Sequence, residues 1–132
     1  MELKYSILIV EDDSLLRQAL ETKLLKEGFE VKSALEGNHG LQEIERHHFD
    51  LILLDVIMPY MDGITMLKLL REREKGGTFT PVLMLTNQND IERISEAVDA
   101  EVAGYLIKSD WTLEKLIQEI HSHLGTHSKA ES

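Results

Sequence analysis

Short apolar runs alternate along this chain with segments of helical periodicity. Four of the runs are Ile7–Val10, Leu51–Leu54, Val82–Leu85 and Tyr105–Ile107. They are continuous rather than alternating, which is typical of strands that are buried on both faces of a parallel sheet. Residues Phe29–Ala34 do alternate between apolar and polar side chains, and this pattern predicts a strand at the edge of the sheet.

A helix is predicted after each of these strands. The first should end at Gly28 and the fifth at Gly125, because glycine favours the left-handed conformation that follows a helix. Asp62 and Asn89 are predicted to cap the third and fourth helices. The apolar residues that mark the five helices are Leu15, Leu16, Ala19, Leu20 and Leu24; Leu41 and Ile44; Ile64, Leu67 and Leu70; Ile91, Ile94 and Val98; and Leu113, Leu116, Ile117, Ile120 and Leu124.

This alternation predicts an α/β fold of the (βα)5 type. We expect an open parallel sheet with strand order 2-1-3-4-5 and helices on both faces, a flavodoxin-like three-layer sandwich. The 132 residues suffice for one domain, which we expect over residues 1–125. The polar segment 126–132 is either a frayed end or the start of a linker.

Composition narrows the classes of function. The chain contains no cysteine, which excludes disulfides and thiolate metal sites. A net charge of −10 argues against direct binding of nucleic acid or of an anionic membrane. We see no apolar run long enough for a membrane span and no signal peptide, and we therefore expect a cytoplasmic protein.

Reactive side chains follow four of the predicted strands. Glu11 and Asp12 follow the first, Asp55 the third, Thr86 the fourth and Lys108 the fifth. Ligands of open parallel sheets bind at this carboxyl edge. Clustered carboxylates repel one another, and Mg²⁺, which prefers oxygen ligands and phosphate, would relieve the repulsion. A carboxylate beside Mg²⁺ can accept a phosphoryl group as an aspartyl phosphate.

The loop after Asp55 fits such a site. Pro59 fixes its own φ angle and disfavours a helical Met58, so the loop is held tight. The backbone carbonyl of Ile57 can then face the metal.

The motifs ILIVEDD, LLDVIMPYMDG, LMLT and GYLIK together resemble the receiver domain of two-component response regulators, over about residues 5–124. The resemblance implies a phosphorylated signalling domain rather than an enzyme, with only self-phosphorylation and self-dephosphorylation chemistry. It implies a sensor histidine kinase or a phosphotransfer protein as the phosphohistidine donor. The implied site residues are Asp55 as phosphoacceptor; Asp12, Glu11, Asp55 and the Ile57 carbonyl as Mg²⁺ ligands; Thr86 and Lys108 as phosphoryl contacts; and Thr86 and Tyr105 as the switch pair.

The resemblance also implies an output surface, formed by the fourth predicted helix, the fifth strand and the fifth predicted helix. An output partner or a second copy of the chain would dock there. Its residues include Glu92, Arg93, Glu96, Tyr105, Glu114 and Lys115.

Three positions depart from the family's pattern. Ser109 stands after Lys108 where proline with a cis bond is usual, and because a cis bond without proline costs about 2.5–4 kcal/mol, we predict a trans bond. Asn87 follows Thr86 where a small residue is usual, and its side chain would narrow access to the phosphoryl group. Apolar Ile57 could exclude the hydrolytic water and lengthen the phosphorylated lifetime.

Competing interpretations use the same residues. A Mg²⁺-dependent phosphohydrolase with an aspartyl-phosphate intermediate would carry a second Asp two residues after Asp55, where this chain has Ile57. A nucleotide or flavin carrier would want a Gly- or Ser/Thr-rich loop after the first strand, where Glu11–Asp13 stand instead. Asp13 is better explained as a cap of the first helix.

Overall fold

The computed structural model describes residues 4–74, 77, 79–87, 102–110 and 112–126. Its strands are β1 (Ser6–Val10), β2 (Glu30–Ala34), β3 (Leu51–Asp55), β4 (Val82–Thr86) and β5 (Gly104–Ile107). They form one sheet in the order β2-β1-β3-β4-β5, with every neighbouring pair parallel. The predicted order is confirmed. Each predicted strand differs from the observed one by a single residue at one end.

The helices in the described part of the chain are α1 (Ser14–Lys26), α2 (Gly37–Arg46), α3 (Gly63–Arg73) and α4 (Leu113–Leu124). They correspond to the first, second, third and fifth predicted helices. The fourth predicted helix, which would begin at Asn89, lies outside the described residues. None of the helices in the described ranges is long and apolar enough to cross a membrane.

Local signals account for the helix ends. The Asp13 carboxylate accepts hydrogen bonds from the N–H groups of Leu15 and Leu16, and Asp62 accepts one from Thr65 at 2.8 Å. Both aspartates are therefore N-caps, as predicted. Gly28 and Gly125 follow α1 and α4 with φ angles of 95° and 71°, which glycine adopts without strain.

Thr126 is still attached to the domain. Its N–H donates to the carbonyl of His121 at 2.9 Å, and its hydroxyl lies 2.6 Å from Nδ1 of the same histidine. His121 is itself buried against the ring of Phe29. The first residue of the predicted tail thus belongs structurally to the end of α4, and the remainder of the tail lies outside the described residues.

Two apolar layers cover the two faces of the sheet. Leu8, Val10 and the same-face residues of β3 pack against α2 and α3. Ile7, Ile9 and the opposite residues of β3 pack against α1 and α4. Since both faces are covered, alternate positions in these strands are equally buried, which explains their continuous apolar sequence. In β2 burial alternates, as expected for the predicted edge strand.

Candidate functional site

The sheet brings the predicted site residues to one edge. Asp55 and Thr86 are the last residues of β3 and β4, and Glu11 and Lys108 directly follow β1 and β5. These four strands are consecutive neighbours in the sheet. Because all of them run in the same direction, their carboxyl ends lie side by side. Side chains from four separate chain segments therefore meet there.

Three carboxylates form the centre of this edge. Glu11, Asp12 and Asp55 each offer an oxygen, and these oxygens lie within 4.8 Å of one another. Glu11 is fully buried and Asp55 is 4% exposed, whereas Asp12 faces solvent. The Nζ atom of Lys108 lies 3.2 Å from Oε1 of Glu11 and 3.0 Å from Oδ1 of Asp55. One ammonium thus serves two buried carboxylates.

The excess of acid shifts the ionisation of the cluster. Burial, followed by the negative charge of Asp55, raises the pKa of Glu11 to about 7. Burial also raises the pKa of Asp55, although the Lys108 ammonium opposes the shift. Burial alone would lower the pKa of Lys108, but the two carboxylates outweigh it and raise that pKa. Lys108 is therefore charged, and three carboxyl groups share the neighbourhood of this one ammonium.

The donor set suits a hard divalent cation. Oxygen atoms of Glu11, Asp12 and Asp55 converge from two neighbouring strand ends, and buried like charges favour a bound cation. Ile57 is 41% exposed. The assignment of its carbonyl as a further ligand stays a prediction.

Two further predicted residues lie on the neighbouring strands. Thr86 is fully buried, and its hydroxyl donates to the carbonyl of Asn87 at 3.0 Å. Tyr105 on β5 is 51% exposed, so its ring lies at the surface in this conformation. The backbone N–H of Lys108 donates to the Thr86 carbonyl at 2.6 Å, which ties the lysine to the threonine strand. Their roles as a switch pair remain predictions.

The bond between Lys108 and Ser109 is trans, as predicted. The chain turns directly after it, where the N–H of Asp110 donates to the Ile107 carbonyl at 2.9 Å.

Sequence reasoning missed two residues that shape the site. Gly63 approaches β3 so closely that an added Cβ would overlap the carbonyl oxygen of Asp55, and its N–H donates to the Val56 carbonyl at 2.8 Å. The glycine after the Asp62 cap was the available signal. The Arg17 guanidinium donates to the carbonyls of Glu11 and Asp12 at 3.0 and 3.4 Å, and so holds the acidic turn. A single arginine on a helix gave no signal of this contact.

Known proteins share this sequence pattern and this fold. The family model of the response regulator receiver domain matches residues 7–121. The chain is 34% identical over 106 residues to the probable transcriptional regulator ycf29 of Porphyra purpurea, a match that covers 80% of this chain and 50% of that protein. The chain spans about half the length of the curated relatives it matches.

Solved structures give the same result. The Vibrio cholerae chemotaxis protein CheY4 superposes with a TM-score of 0.82 at 31% identity, covering 91% of this chain and 98% of that one. A CheY-like receiver domain protein from Methanospirillum hungatei superposes with a TM-score of 0.84 at 28% identity, covering 93% and 95% of the two chains.

Proposed function

Because the chain belongs to the response regulator receiver family, we propose that it accepts a phosphoryl group on Asp55. The donor is a phosphohistidine of a sensor histidine kinase or of a phosphotransfer protein. The chain acts as a signalling phosphoacceptor with only self-phosphorylation and self-dephosphorylation chemistry of its own. We assign this reaction to the cytoplasm.

The observation that supports the proposal is the position of the Asp55 carboxylate between charges of opposite sign. Lys108 lies 3.0 Å from one of its oxygens, while Glu11 and Asp12 bring acidic oxygens within 4.8 Å. A phosphoryl group at Asp55 needs its own negative charge neutralised, and Lys108 is already placed there to do so.

The transfer needs no other covalent group from the protein. An Asp55 oxygen attacks the phosphorus atom, and the new O–P bond forms as the N–P bond of the phosphohistidine breaks. The electron pair of that bond leaves with the imidazole nitrogen, which then takes up a proton. Lys108 loses part of its interaction with the carboxylate and gains one with a phosphoryl oxygen.

Glu11, Asp12 and Asp55 would hold Mg²⁺, with the Ile57 carbonyl as the predicted fourth contribution. When bound, the ion supplies positive charge that offsets both the acid cluster and the phosphoryl oxygens. Glu11 contributes a carboxylate that is fixed on one side by the Asp13 N–H at 3.1 Å.

Phosphorylation of Asp55 would then change the conformation of residues on the neighbouring strands. We propose that Thr86 exchanges its bond with the Asn87 carbonyl for a phosphoryl oxygen, and that Tyr105 turns inward as the threonine moves. The change would alter the output surface defined above, of which Glu114 and Lys115 are exposed on α4. For this mechanism to work, the phosphoryl group must bind one conformation more tightly than the other.

A second candidate function receives no support from these observations. A phosphohydrolase needs a general acid two residues after Asp55, and Ile57 cannot donate a proton. Relatives such as the probable transcriptional regulator ycf29 are about twice as long as the part that this chain matches. We propose an output partner or domain, or a second copy of the chain, as the target.

Mass spectrometry after incubation with acetyl phosphate and Mg²⁺ tests the proposal. We expect one added phosphoryl group on the wild-type chain and none on Asp55→Asn. Omission of Mg²⁺ should abolish the modification. A phosphoryl group on the Asp55→Asn chain, or multiple turnover on a small phosphate ester, would contradict the proposal.

A further inference from the structure

Strand β2 supports the cluster of three carboxylates, although it contributes no side chain to that cluster. The turn that carries Glu11 and Asp12 begins where the Glu11 N–H donates to the Ala34 carbonyl at 3.1 Å, at the last residue of β2. The Glu11 carboxylate is fixed further by Lys108 and by the Asp13 N–H. The Asp12 side chain is exposed, so its direction depends mainly on the backbone that carries it.

The guanidinium of Arg17 on α1 holds this backbone. Its Nη1 atom donates to the Glu11 carbonyl at 3.0 Å and to the Asp12 carbonyl at 3.4 Å. Only 16% of the Arg17 side chain is exposed, so the guanidinium is directed at the turn rather than at solvent. Hydrogen bonds from a charged donor are stronger than neutral ones, and these two restrict the peptide groups of both acidic residues.

Glu21 and Ser33 in turn orient the guanidinium. The Oε1 atom of Glu21 lies 3.6 Å from Nε of Arg17, one helical turn further along α1. The same oxygen accepts a hydrogen bond from the Ser33 hydroxyl at 2.9 Å, and Ser33 belongs to β2. Arg17 therefore lies between an acid that is anchored on β2 and the two carbonyls of the acidic turn.

Arg17 has two effects on a cation bound at the cluster, and they have opposite signs. Its positive charge lies beside the acidic turn and repels Mg²⁺. Its hydrogen bonds keep the carboxylates of Glu11 and Asp12 close together although like charges repel. Groups that hold metal ligands in place before the ion arrives strengthen binding. Removal of Arg17 therefore raises the Mg²⁺ affinity if charge dominates and lowers it if positioning dominates.

We propose that Arg17 is a positioning residue of the Mg²⁺ site, and that Glu21 and Ser33 act on the site through it. This inference rests on the proposed function, which assigns Mg²⁺ to the three clustered carboxylates. Arg17 contacts backbone carbonyls and contributes no ligand atom itself. Through this series of contacts, the edge strand β2 contributes to the strength with which the neighbouring strand ends bind the ion.

Isothermal titration of the metal-free chain with magnesium chloride measures the Kd without any phosphoryl donor. Arg17→Ala should raise the Kd about tenfold, as for other residues that orient metal ligands, although a neighbouring positive charge is removed. Arg17→Lys keeps the charge and a donor and should recover part of the affinity. Arg73→Ala is the matched control, because Arg73 pairs with the exposed Glu45 away from the cluster, and it should match the wild type.

The contact with Glu21 gives a second test. Glu21→Ala should raise the Kd by a smaller factor than Arg17→Ala, because Arg17 keeps its carbonyl partners. The double variant should bind Mg²⁺ as Arg17→Ala does, since Glu21 acts only through Arg17. Urea denaturation in EDTA identifies any variant that is only destabilised, and such a variant binds Mg²⁺ with the wild-type Kd while it is folded. If Arg17→Ala does not fold, Arg17→Lys and Glu21→Ala decide the question.

The outcomes separate this inference from the proposed function. A Kd of Arg17→Ala that equals the wild-type value or lies below it would overturn the assignment, because only the charge would then act. Independent, additive effects of the two variants would overturn the role of Glu21. If the wild-type chain binds Mg²⁺ but takes no phosphoryl group from acetyl phosphate, the proposed function fails alone. If the wild-type chain shows no saturable Mg²⁺ binding, both fail.

Discussion

Two groups of buried charged side chains lie at opposite edges of the sheet and differ in their balance. At the amino edge, Arg71 and Glu74 are paired at 2.6 Å, with 10% and 13% of their side chains exposed. Glu74 also accepts hydrogen bonds from the N–H and the hydroxyl of Thr80 at 2.8 and 2.7 Å. At the carboxyl edge, Glu11 and Asp55 share the single ammonium of Lys108.

The balance between acids and cations distinguishes a structural group of charges from a functional one. The amino-edge carboxylate has a matching cation and satisfied oxygens, and so it ties α3 to the chain that enters β4. The carboxyl-edge acids exceed their cation, and burial raises the pKa of both. Such a group costs stability, and a bound cation would offset that cost. The predictions below test this contrast by making the same change at both edges.

The largest expected effect is at the amino edge. Glu74→Gln should lower the free energy of unfolding by about 2–3 kcal/mol, because a largely buried ion pair with Arg71 is lost. Urea denaturation of the metal-free chain measures this. As a control, Glu45→Gln removes an exposed partner of Arg73 and should change stability by less than about 0.5 kcal/mol. Equal losses of stability for the two variants would show that the amino-edge pair contributes no more than an exposed ion pair.

The same substitution at the carboxyl edge should act in the opposite direction. Glu11→Gln should raise the free energy of unfolding by about 1–2 kcal/mol in EDTA at pH 8, because removing a carboxylate of raised pKa, at about 1.4 kcal/mol per unit, outweighs weakening its hydrogen bonds from the Asp13 N–H and Lys108. Lys108 keeps Asp55 as its partner. Urea denaturation of Glu11→Gln and Glu74→Gln under the same conditions compares their free energies of unfolding. A loss of stability in Glu11→Gln would mean that the acid-rich group is as structural as the other.

Addition of Mg²⁺ should offset the excess of carboxyl groups over the Lys108 ammonium and so stabilise the folded chain. At a concentration ten times its Kd, the ion should stabilise the wild-type chain by about 1.4 kcal/mol. Glu11→Gln should gain much less, and Glu74→Gln should gain as much as the wild type. Thermal unfolding at matched ionic strength with sodium chloride gives the comparison. An equal gain in all three chains would place the bound ion elsewhere.

The smallest expected effect is on the pH dependence. A carboxyl whose pKa is raised by folding binds protons more tightly in the folded state, so its contribution to stability falls as pH rises from its ordinary pKa of 4.5 to about 7. Less than one proton is involved, so the slope should be under about 1.4 kcal/mol per pH unit. Subtracting the free energy of unfolding of metal-free Glu11→Gln from that of the metal-free wild type at each pH isolates this slope. A difference that grows with pH in favour of the wild type would contradict the assigned sign.

Several features could be predicted from sequence because their causes are local. Continuous runs such as Leu51–Leu54 indicated strands covered on both faces, and Asp13, Asp62 and Gly28 indicated helix ends. The contacts of Arg17 could not be predicted, and the glycine after the Asp62 cap did not by itself identify Asp55 as the neighbour of Gly63. They depend on distances between segments that no spacing in the chain encodes.

The sequence by itself determined the alternation of strands and helices, the edge position of β2 and the order in which Glu11, Asp55, Thr86 and Lys108 follow the strands, because periodicity and capping act over a few residues. Only the tertiary structure decided that Lys108 reaches two carboxylates, that Glu11 is fully buried and that Tyr60 is exposed in a strained turn. Charge balance and exposure depend on which segments surround a side chain, and that is settled when the strands assemble side by side.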